Sequence, residues 1–151
     1  MANANRVGAA GPQLFGNYLI ATGIVNTGAA SNTAGVLPIL SGGLTNGGAV
    51  ANSGGVIIRR VTFCNPSNSV TTANVSILTS SDGNASNAVV SNFALTTLSA
   101  QNRWQDGNIA STYTTTEVTG NQTSTLWAVV AAAGALAGNV QVNVYGDVII
   151  P

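Results

Sequence analysis

The chain has 151 residues, 45 % hydrophobic and only 5 % charged, with four arginines balanced by four acidic residues and neither lysine nor histidine. That length fits one domain able to bury a real core, and the apolar content excludes disorder caused by low hydrophobicity. An average soluble domain is roughly a quarter charged, so here Asn, Ser, Thr and exposed backbone must supply solubility, or surface must be hidden against partners.

The N-terminal stretch Met1 to Pro12 is small and polar, with one charge at Arg6 and no hydrophobic segment behind it to read as a signal peptide. It is expected to be a flexible arm, either frayed or ordered only against a neighbouring subunit, leaving residues 13–151 as one β domain. Asn17 to Val25 is apolar, β-branched and ended by Asn26-Thr27-Gly28. Val36 to Leu40 is short and contains Pro38, which suits an edge or a turn. Ser41 to Gly55, rich in Gly and Asn, reads as a long loop.

Val56 to Cys64 is a strong strand stopped by Asn65-Pro66-Ser67-Asn68. Ala73 to Thr79 alternates, with Ala73, Val75 and Ile77 on one face and Asn74 and Ser76 on the other. A turn at Asp82-Gly83-Asn84 follows, and Ala88 to Leu98 is extended again. Ser99 to Thr125 is a polar stretch. Leu126 to Ala133 reads as a buried strand; its alanines would also suit a buried helix, but Val129, Val130, Gly134 and Gly138 favour strand. Gly134 to Asn139 is read as a hairpin loop before a period-2 strand, Val140 to Tyr145, that runs on through Gly146-Asp147 to Ile150. Short strands separated by Gly, Asn and Pro turns predict an all-β fold, an antiparallel sandwich of jelly-roll-like type.

Catalytic chemistry finds little to work with. General acid–base catalysis prefers His or a carboxylate with a shifted pKa, and the four acids are scattered singly. Asp82 and Asp106 each precede Gly and are read as turn residues capping their own backbone. One cysteine and no histidine exclude a structural zinc site, and Gly42-Gly43 and Gly47-Gly48 lack the lysine of a phosphate loop. No catalytic, cofactor-binding or metal-ligating residue is therefore assigned, and the chain is not read as an enzyme. Cys64 cannot form an intrachain disulfide and reads as a small buried hydrophobe. Triplets for N-glycosylation at Asn74, Asn84 and Asn121 are expected by chance in so polar a chain.

The partner-contact candidates are Arg6, Arg59, Arg60 and Trp104. Adjacent Arg59 and Arg60 are too few for a phosphate-binding patch. They are read as a solvated pair at a strand start or as the mates of a carboxylate on a neighbour. Trp104 is read as a lid over one end of the sandwich or as an exposed platform for a sugar or a partner, the lid being preferred. Trp127, inside an apolar strand, is assigned to the core. Neither nucleic acid nor membrane is expected as a partner; the most apolar stretch is about half the roughly 20 residues a membrane helix needs.

From Gly54 to Ile150 the chain resembles small virion proteins of tailed bacteriophages, particularly capsid decoration (cement) proteins. The likeness lies in Val56-Ile57-Ile58-Arg59-Arg60-Val61-Thr62-Phe63-Cys64-Asn65, in Val75-Ser76-Ile77-Leu78 and Val89-Val90-Ser91-Asn92-Phe93, and in the closing Val140 to Ile150. It implies a non-enzymatic protein without cofactors, often trimeric, that binds the major capsid protein on the outside of an icosahedral shell. Sandwiches of this texture also occur in tails, necks and fibres. A carbohydrate-binding module, with Trp104 and Tyr113 as its platform, is the remaining alternative.

Overall fold

The computed structural model describes residues 11–30, 35–38, 55–111, 118–119 and 125–150. They form nine strands: β1 (Gly11–Asn26), β2 (Gly35–Pro38), β3 (Gly55–Cys64), β4 (Asn74–Leu78), β5 (Ala88–Ala94), β6 (Trp104–Asp106), β7 (Val118–Thr119), β8 (Thr125–Ala132) and β9 (Asn139–Ile150). A five-stranded sheet runs β1-β9-β3-β6, with β7 also on β3, and a four-stranded sheet runs β2-β8-β4-β5. Every pairing is antiparallel. This is an all-β sandwich of two antiparallel sheets.

The pairings are nested. The first strand pairs the last (β1 with β9), β2 pairs β8, β3 pairs both β6 and β7, and β4 pairs β5. The chain is thus one long hairpin whose tip is the β4–β5 turn. Rolling that hairpin brings β9 onto β3 in one sheet and β8 onto β4 in the other.

Local sequence explains the elements. β-Branched residues crowd β3 and β9 and fit a pleated surface better than a helix. In β4, Val75 and Ile77 are buried while Asn74 and Ser76 are partly exposed, as period two demands. Leu126, Ala128 and Val130 are buried in turn along β8, which settles that segment as strand. Pro38 closes β2 at a sheet edge, where its missing N–H costs no ladder bond. At the hairpin tip, Asp82 Oδ1 accepts from the Asn84 backbone at 2.9 Å and Oδ2 from Asn87 at 3.0 Å, while Gly83 takes φ 71°.

The segment from Gly134 to Asn139 is not a hairpin. It carries the chain from β8 in the four-stranded sheet to β9 in the five-stranded one. Backbone bonds tie it to the end of β1: Thr27 N–H donates to Gly138 O at 2.8 Å and Gly134 N–H donates to Thr27 O at 2.9 Å. The buried Thr27 hydroxyl also donates to Gly138 O, at 3.0 Å. Gly138 is required by contact, because a Cβ there would stand 2.7 Å from Val70 Cγ1.

The core lies between the sheets. Ile20, Val25, Ile58, Val61, Phe63, Val140, Val142 and Val144 come from the five-stranded sheet; Val75, Ile77, Val89, Val90, Leu126, Ala128 and Val130 face them. Phe63 and Phe93 stack across the gap with centroids 5.6 Å apart. Each aliphatic or aromatic side chain so buried stabilises the fold by about 1.5–3 kcal/mol. Trp127 and Val129 are only partly buried and sit out of phase with Leu126 and Ala128. The assignment of Trp127 to the core is therefore corrected: the pleat turns it to the opposite face of β8.

The N-terminal arm expected over residues 1–12 lies outside the described residues from 1 to 10. Gly11 and Pro12 open β1, opposite Ile150 and Ile149. The loop expected from Ser41 onwards also lies outside them, except that Gly55 begins β3.

Candidate partner-contact surface

Of the sequence-derived contacts, Arg59, Arg60 and Trp104 lie on the outer face of the five-stranded sheet, the two arginines because of a bulge in β3. Ile58 lies opposite Gly146 and Arg60 opposite Tyr145, so Arg59 is the extra residue. Arg59 and Arg60 both reach solvent although they are consecutive. Without the bulge, one of them would point into the core.

Each arginine meets a carboxylate of its own chain. Arg59 Nε donates to Asp147 Oδ2 at 2.7 Å, with Asp147 almost fully buried. Arg60 Nε donates to Asp106 Oδ1 at 2.8 Å, where both side chains are exposed. The same Oδ1 accepts from the Thr62 hydroxyl at 2.9 Å. The hydrogen bond to Asp106, reinforced by its charge, raises the Arg60 pKa. Asp106 is thus not a turn residue capping its own backbone: it ends β6 and anchors Arg60 across the β3–β6 ladder.

Trp104 is no lid. It begins β6, the residue is 59 % exposed, and the Arg60 guanidinium carbon lies 5.4 Å from its ring centroid. The ladder sets this position. Ile24 lies opposite Gln141, Gln141 opposite Cys64, and Cys64 opposite Trp104, so these four residues form one row across β1, β9, β3 and β6. At the usual strand spacing the row spans about 14 Å. The adjacent row is Thr22, Asn143, Thr62 and Asp106, with Thr22 Oγ1 donating to Asn143 Oδ1 at 2.8 Å.

Cys64 is half-buried on this outer face, not a core hydrophobe. Burial pushes its thiol pKa up, against the weaker opposite pull of the Asn143 amide, which donates to Sγ at 3.5 Å. Arg6 and Tyr113 lie outside the described residues. Among the described residues, no buried side-chain polar atom lacks a partner, no three His, Cys, Asp or Glu side chains converge, and no helix is long and apolar enough to cross a membrane.

Sequence reasoning found Arg59, Arg60 and Trp104 but missed Asp106, Thr62 and Asp147, which position them. The alternation of β3 and β9 carried the missing signal. Thr62 falls in phase with the outward Arg60, and a charged Asp147 inside an apolar strand calls for an opposite charge beside it. Comparison with known proteins gives no match to a family model, to a curated protein or to a solved structure.

Proposed function

We propose that the protein is a non-enzymatic structural component of a virion, a capsid decoration (cement) protein bound as a homotrimer to the major capsid protein on the outer surface of the shell. The nested strand pairing carries this reading. A hairpin rolled into β1-β9-β3-β6 and β2-β8-β4-β5 has the order expected of a double-sheet jelly roll, an architecture that viral capsid domains use. Charge supports it as well. Four of the eight charges are spent in the two internal pairs, Arg59 with Asp147 and Arg60 with Asp106. A surface so nearly neutral has little self-repulsion, which suits close packing of copies.

The mechanism is mechanical: the protein bridges neighbouring shell subunits and resists the pressure of the packaged genome. It would be made in the host cytoplasm and come to rest on the capsid. The test is to add purified protein to undecorated shells and follow binding by sedimentation and electron microscopy. Saturating, stoichiometric binding is expected. Binding to tails, necks or fibres with none to shells would move the protein elsewhere in the virion and overturn the decoration reading.

A further inference from the structure

One patch on the outer face of the five-stranded sheet keeps hydrogen-bonding capacity that the fold does not spend. Arg60 is held through Nε alone, and among the described residues both of its Nη groups are without a hydrogen-bond partner. Asp106 uses Oδ1 twice, for Arg60 and for Thr62, and leaves Oδ2 unused among the described residues. All three stand open to solvent: the Arg60 and Asp106 side chains are 45 % and 43 % exposed, and Trp104 as a residue 59 %. Their backbones are fixed, because Thr62 pairs with Asp106 and Cys64 with Trp104 in the β3–β6 ladder. Arg60 is pinned between the carboxylate and the indole, so little side-chain freedom remains to be lost on binding.

The chemistry of the patch selects its ligand. Arginine and aspartate cancel, so an anion meets Asp106 and a cation meets Arg60; an ionic ligand gains little from the pair. A neutral polyol suits both. One hydroxyl accepts from an Arg60 Nη, a neighbouring hydroxyl donates to Asp106 Oδ2, and a sugar ring lays its C–H face on indole surface that the guanidinium leaves open. We propose that Trp104, Arg60 and Asp106 form a binding site for a neutral saccharide. The site goes beyond the decoration role and is compatible with it: many copies on one particle would add their individually weak contacts.

The test uses the full chain, immobilised on beads, against neutral oligosaccharides of glucose, mannose, galactose and N-acetylglucosamine, with uronic-acid oligomers as the charged control. Binding of at least one neutral oligosaccharide is expected. Trp104→Ala and Arg60→Gln should each weaken it by at least about tenfold, the scale of one anchoring contact, with circular dichroism unchanged. Trp104→Tyr should restore most of the binding, since the platform is kept. Failure to bind any neutral oligosaccharide, preference for the uronic acids, or undiminished binding in both Trp104→Ala and Arg60→Gln overturns the proposal. Shell binding measured in parallel separates the two readings: saccharide bound without shells sinks decoration alone, and shells bound without saccharide sinks this site alone.

Discussion

Arg59, the bulged residue of β3, reaches across to β9 and holds the Asp147 carboxylate at 2.7 Å, although the two lie 88 positions apart in the chain. The partners differ in burial: the Asp147 side chain is 4 % exposed and that of Arg59 44 %. Removing the arginine would take its cation away from a buried carboxylate. Arg59→Ala is therefore expected to cost more than the roughly 0.2–1 kcal/mol of an exposed pair, towards the about 3–5 kcal/mol of a broken buried one. Arg60→Ala breaks a pair exposed on both sides and should stay within about 1 kcal/mol. Urea denaturation of the two variants checks the order, and equal losses would refute it.

The bulge needs Gly146 as much as it needs Arg59. A Cβ on Gly146 would run into the carbonyl oxygen of Ile57, and it would also stand 2.8 Å from Ile20 Cδ1. Backbone in the middle of a sheet cannot step aside without breaking its ladder. Gly146→Ala should yield insoluble protein or a thermal midpoint lowered far more than by Arg60→Ala. Soluble Gly146→Ala protein with an unchanged midpoint would show that β3 and β9 do not meet in this register.

Much of this fold was legible, and the limits follow from length and distance. β3, β4 and β9 are long enough for period two to declare itself, and the Gly, Asn and Pro turns bound them correctly. β6 and β7, of three and two residues, are too short to show any period inside a polar stretch. With β6 hidden, Trp104 has no strand to stand on, and a lid over one end of the sandwich outweighs an exposed platform. Asp106 was misread because Asp before Gly signals a turn, whereas Arg60, 46 residues earlier, claims its carboxylate. Composition counts charges, but only the register shows that they pair.

Cys64 offers a chemical probe of the outer face. Burial raises its thiol pKa in the folded protein, with the Asn143 hydrogen bond opposing weakly. A raised value means that folding favours the neutral thiol. The stabilisation from Cys64 is therefore fully present below the unfolded thiol's pKa, about 8.5, and is lost as pH rises through the higher folded value. Iodoacetamide should alkylate native protein more slowly than urea-unfolded protein at pH 8, with the native rate still rising where the unfolded rate has levelled off. A native rate equal to or above the unfolded one would mean an activated thiol.

The N-terminus supplies a test of attachment that the strand register makes sharper. Residues 1–10 combine Ala, Asn and Gly with Arg6 and no large apolar side chain beyond Met1 and Val7, so burying them against their own domain would gain little. If the segment acts as the proposed arm, ordering it costs on the order of 1–2 kcal/mol per residue, to be offset by backbone hydrogen bonds and a partner for Arg6 on a neighbour. Extended, about 10 residues reach roughly 35 Å, far enough to touch an adjacent subunit. Gly11 and Pro12 differ, because they are paired with Ile150 and Ile149 at the end of the β1–β9 ladder. Deleting residues 1–10 should leave the thermal midpoint of the free domain nearly unchanged and weaken attachment to shells. Extending the deletion through Pro12 should lower the midpoint as well, since it removes the first rungs of that ladder. A marked loss of stability on deleting 1–10 alone would make the segment part of the fold, and unaltered shell binding would reduce it to a frayed end; either result refutes the arm.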